Sequence, residues 1–125
     1  MTYLDTHVLV WLYASAGEKI SPVASVAIEA ADDLRISPMV LLEVDFLHEI
    51  NRITVGSREI YAYLHEHIGV SVCERSFGDV VSFAADQSWT RDPFDRLIVA
   101  QAAFGAYQLI SKDSVIQAHY PETLW

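Results

Sequence analysis

The chain has 125 residues, 17 acidic against 8 basic, for a formal charge of −9; 52% of it is apolar and 20% charged. This is too apolar for a disordered chain and sized for one domain, so a single domain over 1–125 is expected. The charge excludes a surface that grips nucleic acid through broad positive potential, though not a site that meets phosphate through bound cations. No apolar run nears the roughly 20 residues of a membrane helix. The opening residues carry no basic stretch, and Cys73 stands alone. A signal peptide, an internal disulfide and a cysteine zinc site are therefore not expected, and a reduced, cytoplasmic compartment is.

In chain order, 2–5 reads as a short strand and 7–14 as a buried apolar helix. Ser21-Pro22 starts a second helix, with serine as N-cap and proline at the first helical position, running to about 31. A strand over 34–37 follows, then a helix from Pro38 to about 50. Ser57 is expected to cap another helix, which Gly69 stops. A strand is predicted over 70–73 and a helix over 76–87. Asp92-Pro93 opens a strongly apolar helix through 104, with Gly105 as its stop. A strand over 107–111, a short helix over 114–118 and an edge strand over 123–125 close the chain. Strands alternating with helices imply a parallel sheet covered on both faces, with its site at the carboxyl ends of the strands.

Five carboxylates stand out against that frame. Glu43 shares a helix face with Met39, Phe46 and Ile50, which puts an acid in an apolar stripe, whereas Asp45 and Glu49 read as solvated. A carboxylate facing a core is costly unless it is paired or holds a metal. Asp5 ends the first strand, where it serves either as a helix cap or as a group pointing into the crevice. Asp92 and Asp95 suit the first turn of a helix, yet Asp95 lies on the face of Ile98, Val99 and Ala102. Asp113 follows the 107–111 strand as Asp5 follows the first, in a place where turn residues are common. Several carboxylates converging on one side of a sheet repel one another unless cations are present. Oxygen ligands without cysteine favour Mg²⁺ or Mn²⁺, and such ions support hydrolysis of phosphate esters.

The residues also resemble a known family. "YLDTHVLVWL", "SPMVLLEVDFLHEINRI", "RDPFDRLIVAQA" and "YQLISKDSVIQAHYPETLW" are similar to the successive acidic segments of PIN-domain ribonucleases, especially the toxin subunits of VapBC-type toxin–antitoxin pairs. The likeness covers essentially the whole chain, and the third segment is its most specific part. It implies a three-layer α/β/α fold with about five parallel strands, Mg²⁺- or Mn²⁺-dependent endoribonuclease activity on RNA, a homodimer and a small antitoxin partner. By position it implies Asp5, Glu43 and Asp95 as metal-binding acids, Asp92 as an added acid beside them, and Asp113 as the member that completes the cluster. It gives Thr6 and Ser111 the orienting of acids, water or phosphate. Ser111 departs mildly from the usual threonine.

Arg91 and Arg96 flank the third segment and Lys112 adjoins Asp113. Local charge balance explains them; phosphate binding at the rim is the functional reading, with Arg96 as its candidate. His65-Glu66-His67 looks like a metal motif, but residues two apart on a helix do not share a face. Two rivals remain. A phosphoacceptor receiver domain would need an acidic pair after the first strand and an aspartate ending the central one, and would leave Glu43 and Asp95 idle. A non-catalytic PIN-fold interaction module would keep the fold without metal.

Overall fold

The computed structural model describes residues 1–125. Five short parallel strands form one sheet: β1 (Thr2–Leu4), β2 (Leu34–Ile36), β3 (Ser71–Val72), β4 (Gln108–Ile110) and β5 (Thr123–Leu124). Seven helices flank it in three layers: α1 (Thr6–Tyr13), α2 (Pro22–Ala30), α3 (Pro38–Glu49), α4 (Ser57–Ile68), α5 (Phe77–Ala84), α6 (Pro93–Ala103) and α7 (Ser114–His119). A 3₁₀ turn at Gly17–Lys19, not foreseen from the sequence, joins α1 to α2.

The strand order is β3-β2-β1-β4-β5. The chain thus winds outward from β1 on one side, crosses over, and starts again at β4 on the other. In register, Thr2 faces Gln108 and Leu4 faces Ile110. The point where winding reverses lies between β1 and β4, and there the loops beyond the strand ends part to leave a crevice. Asp5 follows β1 and Ser111 follows β4, so both stand at its mouth. A receiver domain has the order 2-1-3-4-5 and places its crevice elsewhere; this sheet is not of that kind.

The core explains the placement. Tyr3 and Leu4 of β1, Ile36 of β2, and Leu109 and Ile110 of β4 are all but sealed from water. Val8 and Leu9 of α1, Val40 and Val44 of α3, and Ile98 and Val99 of α6 close over them in one cluster of 21 buried residues. Each such aliphatic side chain gains roughly 1.5–3 kcal/mol by leaving water. Five consecutive residues of α6, Ile98 to Ala102, are buried, so its N-terminus is held firmly over the sheet. A small satellite cluster of Val80, Ala84 and Ala100 docks α5 on α6.

Some helix ends differ from expectation. Ser57 is not the cap of α4. Gly56 holds that position, and Ser57 is the first helical residue. Asp45, read as solvated, supplies the cap from α3: its carboxylate accepts from the Ser57 backbone N–H and hydroxyl, both at 2.8 Å. Gly69 ends α4 in the left-handed conformation as expected, at φ 72°. At the end of α6 the left-handed residue is Ala106 rather than Gly105. Gly105 is needed for room, because a Cβ there would fall 2.2 Å from the Tyr107 ring.

Candidate active site

Asp5, Glu43, Asp92, Asp95 and Asp113 line a single pocket of about 420 Å³, together with His7, Val8, Trp11 and Lys112. Three of the five acids arrive by the same device. Asp5, Asp92 and Asp113 are the N-caps of α1, α6 and α7. The Asp5 carboxylate accepts from Thr6 N–H at 2.8 Å. Asp92 accepts from Phe94 N–H at 2.8 Å, and Asp113 from Val115 and Ile116 N–H at 2.8 and 3.1 Å. The capping and the functional readings of these residues are therefore compatible. Three helix N-termini turn their positive dipole ends toward one concavity, which offsets part of the charge gathered there.

The two remaining acids come from helix bodies. Asp95 sits in the first turn of α6, above the buried face of Ile98, Val99 and Ala102. Glu43 reaches the pocket from α3, but not from its core face. Val40 and Val44 are the buried residues, while Phe46 and Ile50 are 47% and 45% exposed. The stripe of Met39, Glu43, Phe46 and Ile50 is thus a flank of α3. Phe46 meets Phe94 of α6 at a ring separation of 6.2 Å. Glu43 is half-buried between these elements rather than immersed in the core.

Hydroxyls hold the carboxylates in place. Thr6, fully buried, donates its hydroxyl to Glu43. Ser111, equally buried, donates to Asp5 Oδ2 at 2.6 Å across the gap between β1 and β4. The Ser111 oxygen in turn accepts from Asp113 N–H at 3.1 Å. Asp5 and Glu43 are each thereby tied to a neighbouring element.

Electrostatics bear the mark of crowding. Burial pushes the Asp95 carboxyl up to about 7, and the negative charges of Asp92, Asp5, Asp113 and Glu43 push the same way. Burial also raises Glu43, against the hydrogen bond from Thr6 and with the repulsion of Asp5. Asp5 is raised by burial although Ser111 and Thr6 N–H favour its charged form. Such a site gains most from a cation.

Not every expected residue comes to the pocket. Arg96 points away. Its Nε donates to the Thr90 carbonyl at 2.7 Å, and its side chain lines an apolar groove with Val81, Ala84 and Leu97 between α5 and α6. The buried flank of α6 turns Asp95 inward and Arg96, one residue on, outward. The cation on the pocket wall is Lys112. Sequence reasoning placed neither His7 nor Trp11 at the site. Their signal was the four-residue spacing on a helix that Asp5 caps, which sets His7 and Trp11 on one face beside the strand end. His65 and His67 bond separate backbone carbonyls, of Val70 and Tyr63, and form no shared site.

A sequence profile of the PIN domain matches residues 2–121. The chain belongs to the PIN-domain family. This PIN domain is also 33% identical over 132 aligned positions to Ribonuclease VapC22 of Mycobacterium tuberculosis (strain ATCC 25618 / H37Rv), spanning 98% of the chain and 96% of that relative. Two solved structures share its fold at low identity. A toxin–antitoxin complex from Klebsiella pneumoniae superposes with a TM-score of 0.69 at 19% identity, covering 100% of this chain and 97% of the other. VapBC2 from Rickettsia felis, bound to a DNA fragment from its promoter, gives 0.61 at 13% identity, with 99% and 96% covered.

Proposed function

We propose that this PIN domain, one domain over residues 1–125, is a divalent-metal-dependent endoribonuclease and the toxin of a toxin–antitoxin pair. The observation that carries the reading is the convergence of five carboxylates at the reversal point of the sheet, with no equal number of cations beside them. The ribonuclease relative and the fold shared with toxin–antitoxin complexes support it.

The donor set fits a hard, hydrated ion. No group of three histidine, cysteine, aspartate or glutamate side chains stands close enough together to cage a metal by itself. Mg²⁺ does not ask for such a cage, since it keeps several waters and takes one or two carboxylates. Asp5, Glu43 and Asp95 are the proposed holders, with Asp92 beside them and Asp113 completing the acidic rim. Mg²⁺ or Mn²⁺ there would supply neutralisation of the phosphoryl oxygens and an acidified water for in-line attack.

The chain's own residues do the rest. Ser111 fixes the rotamer of Asp5, and Thr6 fixes that of Glu43. Asp95, whose carboxyl burial and the neighbouring acids push up to about 7, would have to lose its proton to hold a cation. Lys112, exposed on the pocket wall, offers a positive charge to a second phosphate of the strand. An antitoxin and a homodimer complete the proposal. Val23, Val26, Phe77 and Phe83 are large exposed apolar groups of the sort that a protein partner covers.

The test is incubation of the purified chain with a labelled structured RNA in Mg²⁺ and in Mn²⁺. Lanes with EDTA and with the Asp5→Asn protein run in parallel. Cleavage that requires both metal and Asp5 is the expected result. Cleavage that persists in EDTA, or in Asp5→Asn, would remove the metal-site reading. The partner is tested by affinity capture of the chain from its own cells, where a small co-purifying protein is expected.

A further inference from the structure

The acidic pocket has a second wall that the carboxylates do not use. His7, Trp11 and Lys112 line it. His7 and Trp11 lie one helical turn apart on α1, with ring centroids 6.0 Å apart. Trp125 packs beside Trp11, with ring centroids 5.9 Å apart, and does not line the pocket. Lys112 Nζ lies over the Trp11 ring, 5.7 Å from its centroid, and both residues line the pocket. Trp11 is only half-buried. Part of the indole thus stays open beside the acidic cluster, with the Lys112 ammonium near its face.

We infer that Trp11, packed beside Trp125, is a stacking platform for a nucleobase next to the phosphate held at the carboxylates, with Lys112 leaving the indole to meet the adjoining phosphate. This inference rests on the ribonuclease reading and names how its site takes the strand. Single-stranded RNA is held by such pairing of aromatic faces with backbone charge, because every base has a π-face and splayed bases leave it free. The pocket volume lies within the range of about 300–1,000 Å³ typical of small-ligand sites, so there is room for one nucleotide. The platform predicts sequence tolerance with a preference for the larger purine face, and it requires an unpaired base.

The experiment uses the cleavage-deficient Asp95→Asn protein in millimolar Mg²⁺ at low salt. The probes are end-labelled oligoadenylate and an equally labelled abasic ribose-phosphate chain of equal length; anisotropy of the label reads affinity, and tryptophan fluorescence reads stacking. Oligoadenylate is expected to bind at least about 5-fold more tightly than the abasic chain, the lower end of base–aromatic stacking. Adding Trp11→Leu should erase that difference while leaving affinity for the abasic chain unchanged. Adding Trp11→Phe should keep the difference and lose the main fluorescence change, which a merely structural role for the indole would not produce. Equal affinity for the two chains, no binding of either, or an equal loss of both in Trp11→Leu would overturn the platform. So would a tri-arginine peptide whose binding alone depends on Trp11, which would give the wall to a protein partner. Cleavage by the wild-type chain without base-dependent binding would sink the platform and spare the nuclease reading. Base-dependent binding without metal-dependent cleavage would do the reverse.

Discussion

Glu43 and Asp45 stand two residues apart on α3, and the fold treats their carboxyls in opposite ways. Glu43 enters the pocket, where burial and the nearby charge of Asp5 hold it above the usual carboxylate range despite the bond from Thr6. Asp45 meets the first turn of α4, where the Ser57 backbone N–H and hydroxyl draw it below that range. Two residues span about 200° of helix, so neighbours in sequence face different surroundings. One carboxylate is fully satisfied by the protein and stabilises it. The other, like Asp5 and Asp95, carries a charge that burial disfavours. The pocket is the part of the molecule that stability alone would not build.

The sharpest break of that comparison is in activity. Asp5→Asn or Asp95→Asn should each lower metal-dependent RNA cleavage by more than about 100-fold, beyond what loss of a group that only orients a ligand costs, with circular dichroism unchanged. Asp45→Ala should do the opposite. It removes two hydrogen bonds to a charged acceptor and leaves the start of α4 uncapped, a loss of about 1–3 kcal/mol by urea denaturation. Cleavage per folded molecule should hold. If Asp45→Ala cut cleavage as deeply as Asp95→Asn, the division between a binding acid and a capping acid would fail.

That division was only partly legible in the sequence. The alternation of elements, the cap at Asp92-Pro93 and the stop at Gly69 are local signals, and they fixed the strand and helix order because each depends on a few adjacent residues. Asp95 was legible for the same reason, since α6 is so apolar that its buried face could be read directly. Glu43 was reached by a helical-wheel argument whose stripe proved to be a flank of α3. The core face of Val40 and Val44 depends on where the helix lies over the sheet, which periodicity does not specify. Asp45 was misread because its partner is 12 residues away beyond a turn. Arg96 was misassigned because closeness to acids in sequence says nothing of which side of α6 a residue takes. His7, Trp11 and Lys112 share the pocket only through the β1–β4 pairing.

Between the extremes lie the hydroxyls. Ser111→Ala removes the donor to Asp5 Oδ2 and the acceptor for Asp113 N–H while leaving every carboxylate in place. Cleavage should fall about 10-fold, the scale expected when an orienting partner is lost. Ser111→Thr, which keeps the hydroxyl, should restore most of it. A drop in Ser111→Ala as large as that in Asp5→Asn would mean that Ser111 touches substrate or metal itself.

The smallest effect separates the two kinds of carboxylate by pH in the metal-free protein. Asp95 has a folded value of about 7 against an ordinary 3.8, so between those values the native state binds more protons than the unfolded chain. Stability therefore falls as pH rises from about 4 to about 7, and the full penalty is present above that. Asp45 is displaced the other way. Its contribution is present above about 4 and is lost as the solution is acidified below it. Water reaches Asp95, so screening leaves only about 1 kcal/mol of its penalty. In EDTA, Asp95→Asn should thus be about 1 kcal/mol more stable than wild type at pH 8 and equal to it near pH 4. Asp45→Asn should trail wild type at pH 8 and approach it near pH 3. Denaturation curves at these pH values measure both. Mg²⁺ at pH 8 should narrow the gap for Asp95→Asn, because a cation removes the repulsion that the amide removes, and should leave the gap for Asp45→Asn untouched. A stabilisation of Asp95→Asn that neither acid nor Mg²⁺ diminishes would mean that packing at the start of α6, and not charge, sets the cost of this carboxylate.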